Sequence, residues 1–357
     1  NSIDLVVTSP PYPMIEMWDE AFSSLNPAIN KAIENGEQSK AFGLMHEELD
    51  SVWQELNRVV DDNGIVCINI GDATRKIDGS FELHPNHARI IDWFSENDWS
   101  VLPSILWQKP TNSAAMGSGM LPPNQYVTLE HEHILVFRNG SQTREISDSD
   151  IRSQSAYFYE ERNKWFTDTW NDVLGREQSF ELTVSDTRDR SAAYPFEIQY
   201  RLINMYSVYT DTVLDPFWGT GTTTQAAMIA GRNSVGCEIQ DDLVDKFSLS
   251  QQAVRVQSQQ VVSNRLRSHA DHVESVLETA SEDVVSDVYK YQSDNYAVPV
   301  RSKNESGIQF YTVDNIETTE SDTKSFHVTH TPYTATDEIT TQFSATDPDQ
   351  TSLTDSF

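Results

Sequence analysis

Two short stretches carry residues whose types and spacing suit chemistry. In "DLVVTSPPYPMIEMWDE", residues 4 to 20, a β-branched run stops at Ser9-Pro10-Pro11-Tyr12. That places a hydroxyl, two imino acids and an aromatic ring at the tip of a buried strand, where binding residues tend to collect. In "VLDPFWGTGTTTQAAMIAGRNSVGCEI", Asp215 ends an apolar run, Gly219 and Gly221 follow, a helical segment comes next, and Glu238 closes a second apolar run. The pattern is strand, glycine turn, helix, strand. The glycines let the backbone approach a ligand at the strand's carboxyl end, and an acidic residue about twenty positions on accepts hydrogen bonds from ribose hydroxyls. A nucleoside-bearing cofactor fits. A dinucleotide fits less well, because Thr224 stands where the third glycine of G-x-G-x-x-G belongs. A tight turn in a doubly wound sheet is the plain alternative.

Weaker signals read differently. Glu130, His131, Glu132 and His133 lie in an alternating strand pattern that sends neighbours to opposite faces, leaving two histidines on one face with no third ligand in view. No metal is expected. Trp18, Trp107 and Trp218 are read as packing residues.

The elements that must position these residues come from the rest of the chain. It has 357 residues, 38% of them hydrophobic and 10% aromatic, enough for a sizeable core. The net charge of -30, from 55 acidic against 25 basic residues, argues against nucleic acid on its face. Acidic residues spread over every segment, with Arg outnumbering Lys, also match the surfaces of proteins from salt-loving cells, where the Debye length falls to about 3 Å in molar salt. The acidity is therefore read as habitat more than partner. Cys67 and Cys237 each sit in an apolar run and are read as buried thiols of a reducing cytosol. With no apolar run near the roughly 18 residues of a membrane span and no signal peptide, a soluble cytoplasmic protein is expected. The opening Asn1, with a strand starting almost at once, suggests that the natural N-terminus lies upstream.

Along the chain, "HEELDSVWQELNRVVDDNG" reads as a helix ending at Gly64, "GIVCINIGDAT" as a buried strand turning at Gly71-Asp72, and "HPNHARIIDWFSENDW" as an amphipathic helix. Strands "VLPSILWQK" and "EHEHILVFRN" follow, separated by "PTNSAAMGSGMLPPNQYVTL", a loop long enough to be functional. Alternating strands and helices indicate an α/β fold. Residues 138 to 190, rich in Arg and aromatics, break the rhythm as an insertion would. The pattern resumes with "PFEIQYRLINMYS" and the glycine-turn unit, then a helical run to about residue 290, one or two strands ("NYAVPV", "GIQFYTV") and an acidic tail expected to be disordered.

Together, "TSPPY" and "DPFWGTGTT" resemble the signature pair of the DNA amino-methyltransferases, whose motifs are (D/N/S)-P-P-(Y/F/W) and D-x-F-x-G-x-G. The catalytic motif preceding the cofactor motif is similar to the permuted beta-class order, and "ILWQKP", "EHEHILVFRN" and "AAYPFEIQYRLI" resemble further family segments, so that the likeness covers about residues 1 to 250. It implies a Rossmann-like S-adenosylmethionine-dependent methyltransferase, with a mixed, mostly parallel sheet and an inserted recognition segment. The exocyclic amine of cytosine or adenine is a poor nucleophile, its lone pair being delocalised into the ring. The Ser9 hydroxyl oxygen and the Pro10 carbonyl are suited to accept its two hydrogens, Pro10 and Pro11 stiffen the loop, and Tyr12 offers a stacking face to an extruded base. By the same resemblance Asp215 and Phe217 flank the cofactor's methionine and adenine ends, Gly219 and Gly221 admit it, Thr222 hydrogen-bonds it, Glu238 holds its ribose and Phe196 packs beside its methionine. Gly71 and Asp72 line the base pocket or form a plain turn.

The serine form of the motif is associated more with cytosine N4 than with adenine N6, and the chain looks most like archaeal methylases of CTAG sites. The expected organisation is a catalytic half (1–137), a target-recognition segment (138–190), a cofactor half (191–255) and a C-terminal extension (256–357), helical and then acidic. Expected partners are double-stranded DNA and a cognate restriction endonuclease, with no membrane, for a monomer or dimer. The rival readings are adenine N6 methylation, a nicotinamide-dependent oxidoreductase, and a catalytically idle DNA-binding module.

Overall fold

In the computed structural model of the chain, residues 2–109, 121–123, 125–173, 195–279, 288–319 and 324–335 are described. Strand β1 (Ile3–Thr8) leads into α1 (Asp19–Leu25), α2 (Pro27–Glu34), α3 (Gln38–Val59) and β2 (Val60–Ile70). The hairpin of β3 (Ala73–Ile77) and β4 (Ser80–His84) precedes α4 (Asn86–Glu96), β5 (Trp99–Gln108) and β6 (His131–Asn139). Then come α5 (Ser149–Gln154), α6 (Tyr159–Trp165), β7 (Thr169–Trp170) and α7 (Phe196–Tyr206). Next are β8 (Thr212–Asp215), α8 (Thr222–Ile229), β9 (Asn233–Gly236), α9 (Asp241–Lys246) and α10 (Gln251–Thr279). The hairpins β10 (Tyr291–Gln292) with β11 (Pro299–Val300), and β12 (Tyr311–Thr319) with β13 (Ser325–Pro332), follow.

Among the described residues one sheet runs in the order β7-β5-β6-β2-β1-β8-β9. β1 is parallel to β2 and to β8, β8 to β9 and β5 to β7, while β6 is antiparallel to both its neighbours. The fold is thus α/β with a mixed, mostly parallel sheet. β1 has β2 on one side and β8 on the other, so the chain winds away in two directions there, the place where open α/β sheets bind ligands at their carboxyl ends. Strand alternation divides the core. Leu5, Val7, Cys67, Ile134 and Val136 face α7 and α8, while Val6, Val66, Ile68, Leu135 and Phe137 face α3 and α4. Among the described residues no helix is long and apolar enough to cross a membrane.

A third cluster joins Phe158 to Leu266, Val298 and Phe310, fastening the segment around α6 to α10 and the late hairpins. Arg265, sealed at this junction, donates to Glu161 from Nε (2.6 Å) and Nη2 (2.8 Å) and to the Tyr200 hydroxyl (3.2 Å). Trp165 and Trp170, in the stretch that the sequence sets apart as an insertion, belong to the main core, and β7 pairs with β5.

Other local expectations shift. The helix expected to end at Gly64 ends at Val59, because β2 begins at once. The turn falls inside the strand, where Asn63 takes φ 64° and a Cβ on Gly64 would lie 2.7 Å from Val60. Cys67 is buried as expected, but Cys237 is exposed, since it follows the edge strand β9 rather than a central one. "SFHVTHTP", hidden in Thr- and Ser-rich composition, is strand β13. Most of the loop after β5, Arg188, Arg190 and the acidic tail from residue 336 lie outside the described residues.

Candidate active site

Parallel pairing of β1 with β8, Leu5 opposite Val213 and Val6 opposite Leu214, brings the ends of both strands to one edge of the sheet. Ser9-Pro10-Pro11-Tyr12 leaves the first strand there, and Phe217 to Gly221 leaves the second. Buried Thr8 and Asp215 join them: the Thr8 hydroxyl donates to Asp215 Oδ1 at 2.6 Å. Asp215 also accepts the Phe217 N–H (3.1 Å) and the Thr223 hydroxyl (2.7 Å). Burial pushes its carboxyl up to about 6, against the three hydrogen bonds that lower it. Its oxygens therefore face protein donors, and the residue braces the turn from beneath.

The serine loop is held on several sides. Ile15 N–H bonds back to the Tyr12 carbonyl (3.2 Å), and Met14 takes a left-handed φ of 67° with its N–H on Met45 Sδ. Asn86, at the start of α4 and sealed from solvent, donates to the carbonyls of Pro13 (3.1 Å) and Gly71 (2.9 Å), tying this loop to the end of β2. With its amide hydrogens so occupied, its Oδ1 must accept from His46 Nε2 at 3.0 Å. Nδ1 of His46 is buried without a partner among the described residues, and burial lowers this histidine to about 4.

Tyr12 stands over Gly71, where a Cβ would lie 2.9 Å from the ring. Its hydroxyl is 3.2 Å from Ser9 Oγ and donates to Glu132 Oε2 at 2.9 Å. Asn69 Nδ2 donates to both Tyr12 Oη (2.8 Å) and Glu132 Oε2 (2.7 Å), and Lys109 pairs with Glu132 Oε1. Strand register explains the group: Trp107 faces Glu132 across β5 and β6, Asn69 faces Ile134 across β2 and β6, and Lys109 continues β5 on that side.

The second loop turns through two left-handed glycines. Gly219 and Gly221 have φ of 52° and 76°. Among the described residues a Cβ on Gly219 would meet nothing closer than Phe217 O at 3.9 Å, whereas one on Gly221 would collide with Phe247 and Trp218. Glu238 reaches across to the turn: Oε2 accepts the Gly219 N–H at 2.7 Å and Oε1 the Gln240 N–H at 2.9 Å. Open backbone at Gly219 with a carboxylate beside it suits a ribose-bearing ligand. Thr222 opens α8, its hydroxyl 3.3 Å from that of Thr220. Phe217 sets its ring against Trp53, and Phe196, nearly buried at the start of α7, stacks on Tyr200. Trp218 packs on Phe247 and over Gly236, with its indole N–H on Thr224; Trp107 is buried with its N–H on Val173. Both are packing residues, as expected.

The expectation of no third ligand beside His133 needs correction. Asp72, from the end of β2, and His87, from α4, join it, with potential ligand atoms within 4.8 Å of one another. His87 Nδ1 lies 2.8 Å from both Asp72 oxygens. The His87 and His133 rings stack at 3.9 Å with planes 13° apart, so their in-plane lone pairs run side by side rather than converge. The group is a hydrogen-bonded His-Asp pair with a second imidazole on top. Burial, with His87 adding to it, lowers His133 to about 4.

Sequence reasoning singled out the two loops but gave no role in them to Asn69, Asn86 and Lys109, and set Glu132 aside with its neighbours. The signal for Glu132 was a charged residue on the core face of a strand, which costs stability unless it is paired.

Comparison with known proteins places the chain in a family. Residues 3–251 match the family model described as DNA methylase. The chain is 48% identical over 316 residues to the Type II methyltransferase M.MthZI of Methanothermobacter thermautotrophicus, covering 87% of this chain and 85% of that one. It is 50% identical over 256 residues to the Type II methyltransferase M.MjaI of Methanocaldococcus jannaschii, covering 68% and 83%. Among solved structures, a protein of Thermus thermophilus, assigned as a DNA modification methylase and crystallised with S-adenosyl-L-methionine, is 26% identical with a TM-score of 0.53, over 72% of this chain and 86% of that one. With most of its length matched by the family model and by a relative of nearly half its sequence, the chain belongs to the DNA methylase family.

Proposed function

We propose that the protein transfers a methyl group from S-adenosylmethionine to the N4 amine of cytosine in duplex DNA at a short specific site. The carrying observation is that the Thr8–Asp215 bond and the β1–β8 pairing set the serine loop beside the glycine turn at one sheet edge. When bound, the cofactor supplies an electrophilic methyl carbon on a sulfonium. The chain's own task is to make an amine nucleophilic enough to use it. Ser9 Oγ and the Pro10 carbonyl accept the two amine hydrogens, so that the nitrogen pyramidalises and frees its lone pair. Tyr12 and the Pro-Pro turn keep those acceptors from drifting, and the Tyr12 ring is the wall for an extruded base. Gly219 gives the cofactor backbone clearance, Glu238 takes its ribose, and Phe217, Gly221, Thr222 and Phe196 frame it. Asp215 acts by bracing this turn.

Ser9 supports cytosine over adenine, and the resemblance to CTAG-site methylases makes CTAG the first sequence to examine. A nuclease cutting the same sequence is the partner this reading assigns. The acidic surface suits work at molar salt, where repulsion between the carboxylates and DNA is screened. The experiment is nucleoside mass spectrometry and methylome sequencing of DNA from a host making this chain or its Ser9→Ala variant. N4-methylcytosine at one motif, lost in the variant, is the expected result. N6-methyladenine instead overturns the choice of base, and unmodified DNA overturns the reading itself.

A further inference from the structure

We infer that Glu132 is a positioning residue that, acting through Tyr12, fixes the Ser9 hydroxyl as a hydrogen-bond acceptor toward the target amine. The inference rests on the reading above, in which Ser9 accepts from that amine.

The direction of the relay follows from where each hydrogen goes. A serine hydroxyl can donate or accept, and its rotor chooses by what surrounds it. An amine that must give up its lone pair needs Ser9 as an acceptor; a Ser9 hydrogen pointing at the nitrogen would compete for that same lone pair. Glu132 is only 6% exposed, with Lys109 on Oε1. An ion-paired carboxylate offers only lone pairs. The Tyr12 hydroxyl has one hydrogen, and Glu132 Oε2 takes it at 2.9 Å. The Tyr12 oxygen then meets other groups as an acceptor. Asn69 Nδ2 donates to it at 2.8 Å, and the 3.2 Å contact with Ser9 must run from the Ser9 hydroxyl to Tyr12. With its hydrogen turned to Tyr12, Ser9 presents lone pairs to its remaining surroundings.

Asn69 reinforces the direction. Its Nδ2 serves both Tyr12 and Glu132, while its Oδ1 is buried with no partner among the described residues. Turning the amide over would aim that oxygen at the Glu132 carboxylate and the Tyr12 oxygen. The polarity of the relay, from Ser9 to Tyr12 to Glu132, is thus set at its far end, on β6, away from the base. In Glu132→Gln the side-chain amide can donate to Tyr12, whose hydrogen is then released toward Ser9, reversing the relay.

The test measures single-turnover methyl transfer to duplex DNA together with affinities for DNA and S-adenosylmethionine. Glu132→Gln and Tyr12→Phe should each slow transfer by about 10- to 100-fold, the cost of one misdirected hydrogen bond, while both affinities stay within about threefold. The double variant should be no slower than the worse single one, since both act on the same hydrogen. Multiplicative losses, or a Glu132→Gln rate within about twofold of the parent, overturn the inference. Should Glu132→Gln not fold, a second cycle decides: Tyr12→Phe should slow the parent but scarcely slow Ser9→Ala, which has no hydroxyl to orient. Equal effects in both backgrounds overturn it. Failure of the parent protein itself to methylate any DNA amine would count against the functional reading, not the relay.

Discussion

Thr8 and Asp215, separated by 207 positions in the chain, share a buried hydrogen bond of 2.6 Å. It links the strand that carries one motif directly to the first residue of the other, and it ties the rigidity of the serine loop to the charge beneath the glycine turn.

Replacing Thr8 by Val keeps the shape and removes the donor. Asp215 already titrates at about 6, raised by burial, so its ionised form weakens the fold as pH rises from about 4 through 6. Losing the Thr8 bond raises that value further. Thr8→Val should therefore lower stability by about 1–3 kcal/mol at pH 7 and by much less at pH 4. Urea denaturation at the two pH values checks this, and an equal loss at both would contradict it.

The two glycines of the turn should fail differently when changed to Ala. At Gly219 a methyl group meets only an ordinary contact with Phe217 O among the described residues, leaving left-handed strain of about 1–2 kcal/mol, but it projects where the proposed cofactor would approach. At Gly221 the same strain is joined by collision with Phe247 and Trp218, adding about 1–3 kcal/mol. Thermal melts and cofactor titration should show Gly219→Ala folded and deficient in binding, with Gly221→Ala the less stable of the two.

His46 should make the fold acid-sensitive. It is buried neutral, lowered to about 4 from 6.5, and a second proton would have to sit on a partnerless Nδ1. Its contribution is complete above pH 6.5 and is lost as pH falls toward 4, by roughly 3 kcal/mol. In His46→Gln the stability curve should be flatter across that window, although His133 still titrates there. An unchanged slope by chemical denaturation would refute the assignment.

Arg265 should be the most costly single truncation in the C-terminal unit. Arg265→Ala leaves the buried Glu161 carboxylate unpaired and should remove about 3–5 kcal/mol, whereas Arg265→Met combined with Glu161→Leu should lose clearly less. Denaturant melts of the three proteins decide.

Much of the site was legible because its chemistry is local. Ser9 to Tyr12 and Asp215 to Gly221 are contiguous in sequence, and the runs that end in them read plainly as strands. The relay was not legible, because Asn69 and Glu132 come from two strands, Lys109 follows the end of a third, and they meet only through antiparallel register. "EHEHILVF" places Glu132 on the face of Ile134 and Val136 by alternation, but nothing in it says which groups would pair with that charge. His87 was hidden likewise, since a histidine in an amphipathic helix reveals no partner until the end of β2 is placed beside it. Strand β13 escaped because it lies in a stretch of the chain rich in Thr and Ser, although Phe326 and Val328 point to its packing side.

That last strand bears on how the molecule is made. Phe326 sets its ring against Phe247, which in turn packs on Trp218 and crowds Gly221, and Lys324 grips the carbonyls of Val244, Asp245 and Phe247. The serine loop, residues 9 to 12, precedes the prop behind the opposite loop by some three hundred positions, by the numbering of the chain. A nascent or nicked polypeptide lacking β13 would keep the first loop's own contacts while the glycine turn lost the backing that Phe326 gives Phe247.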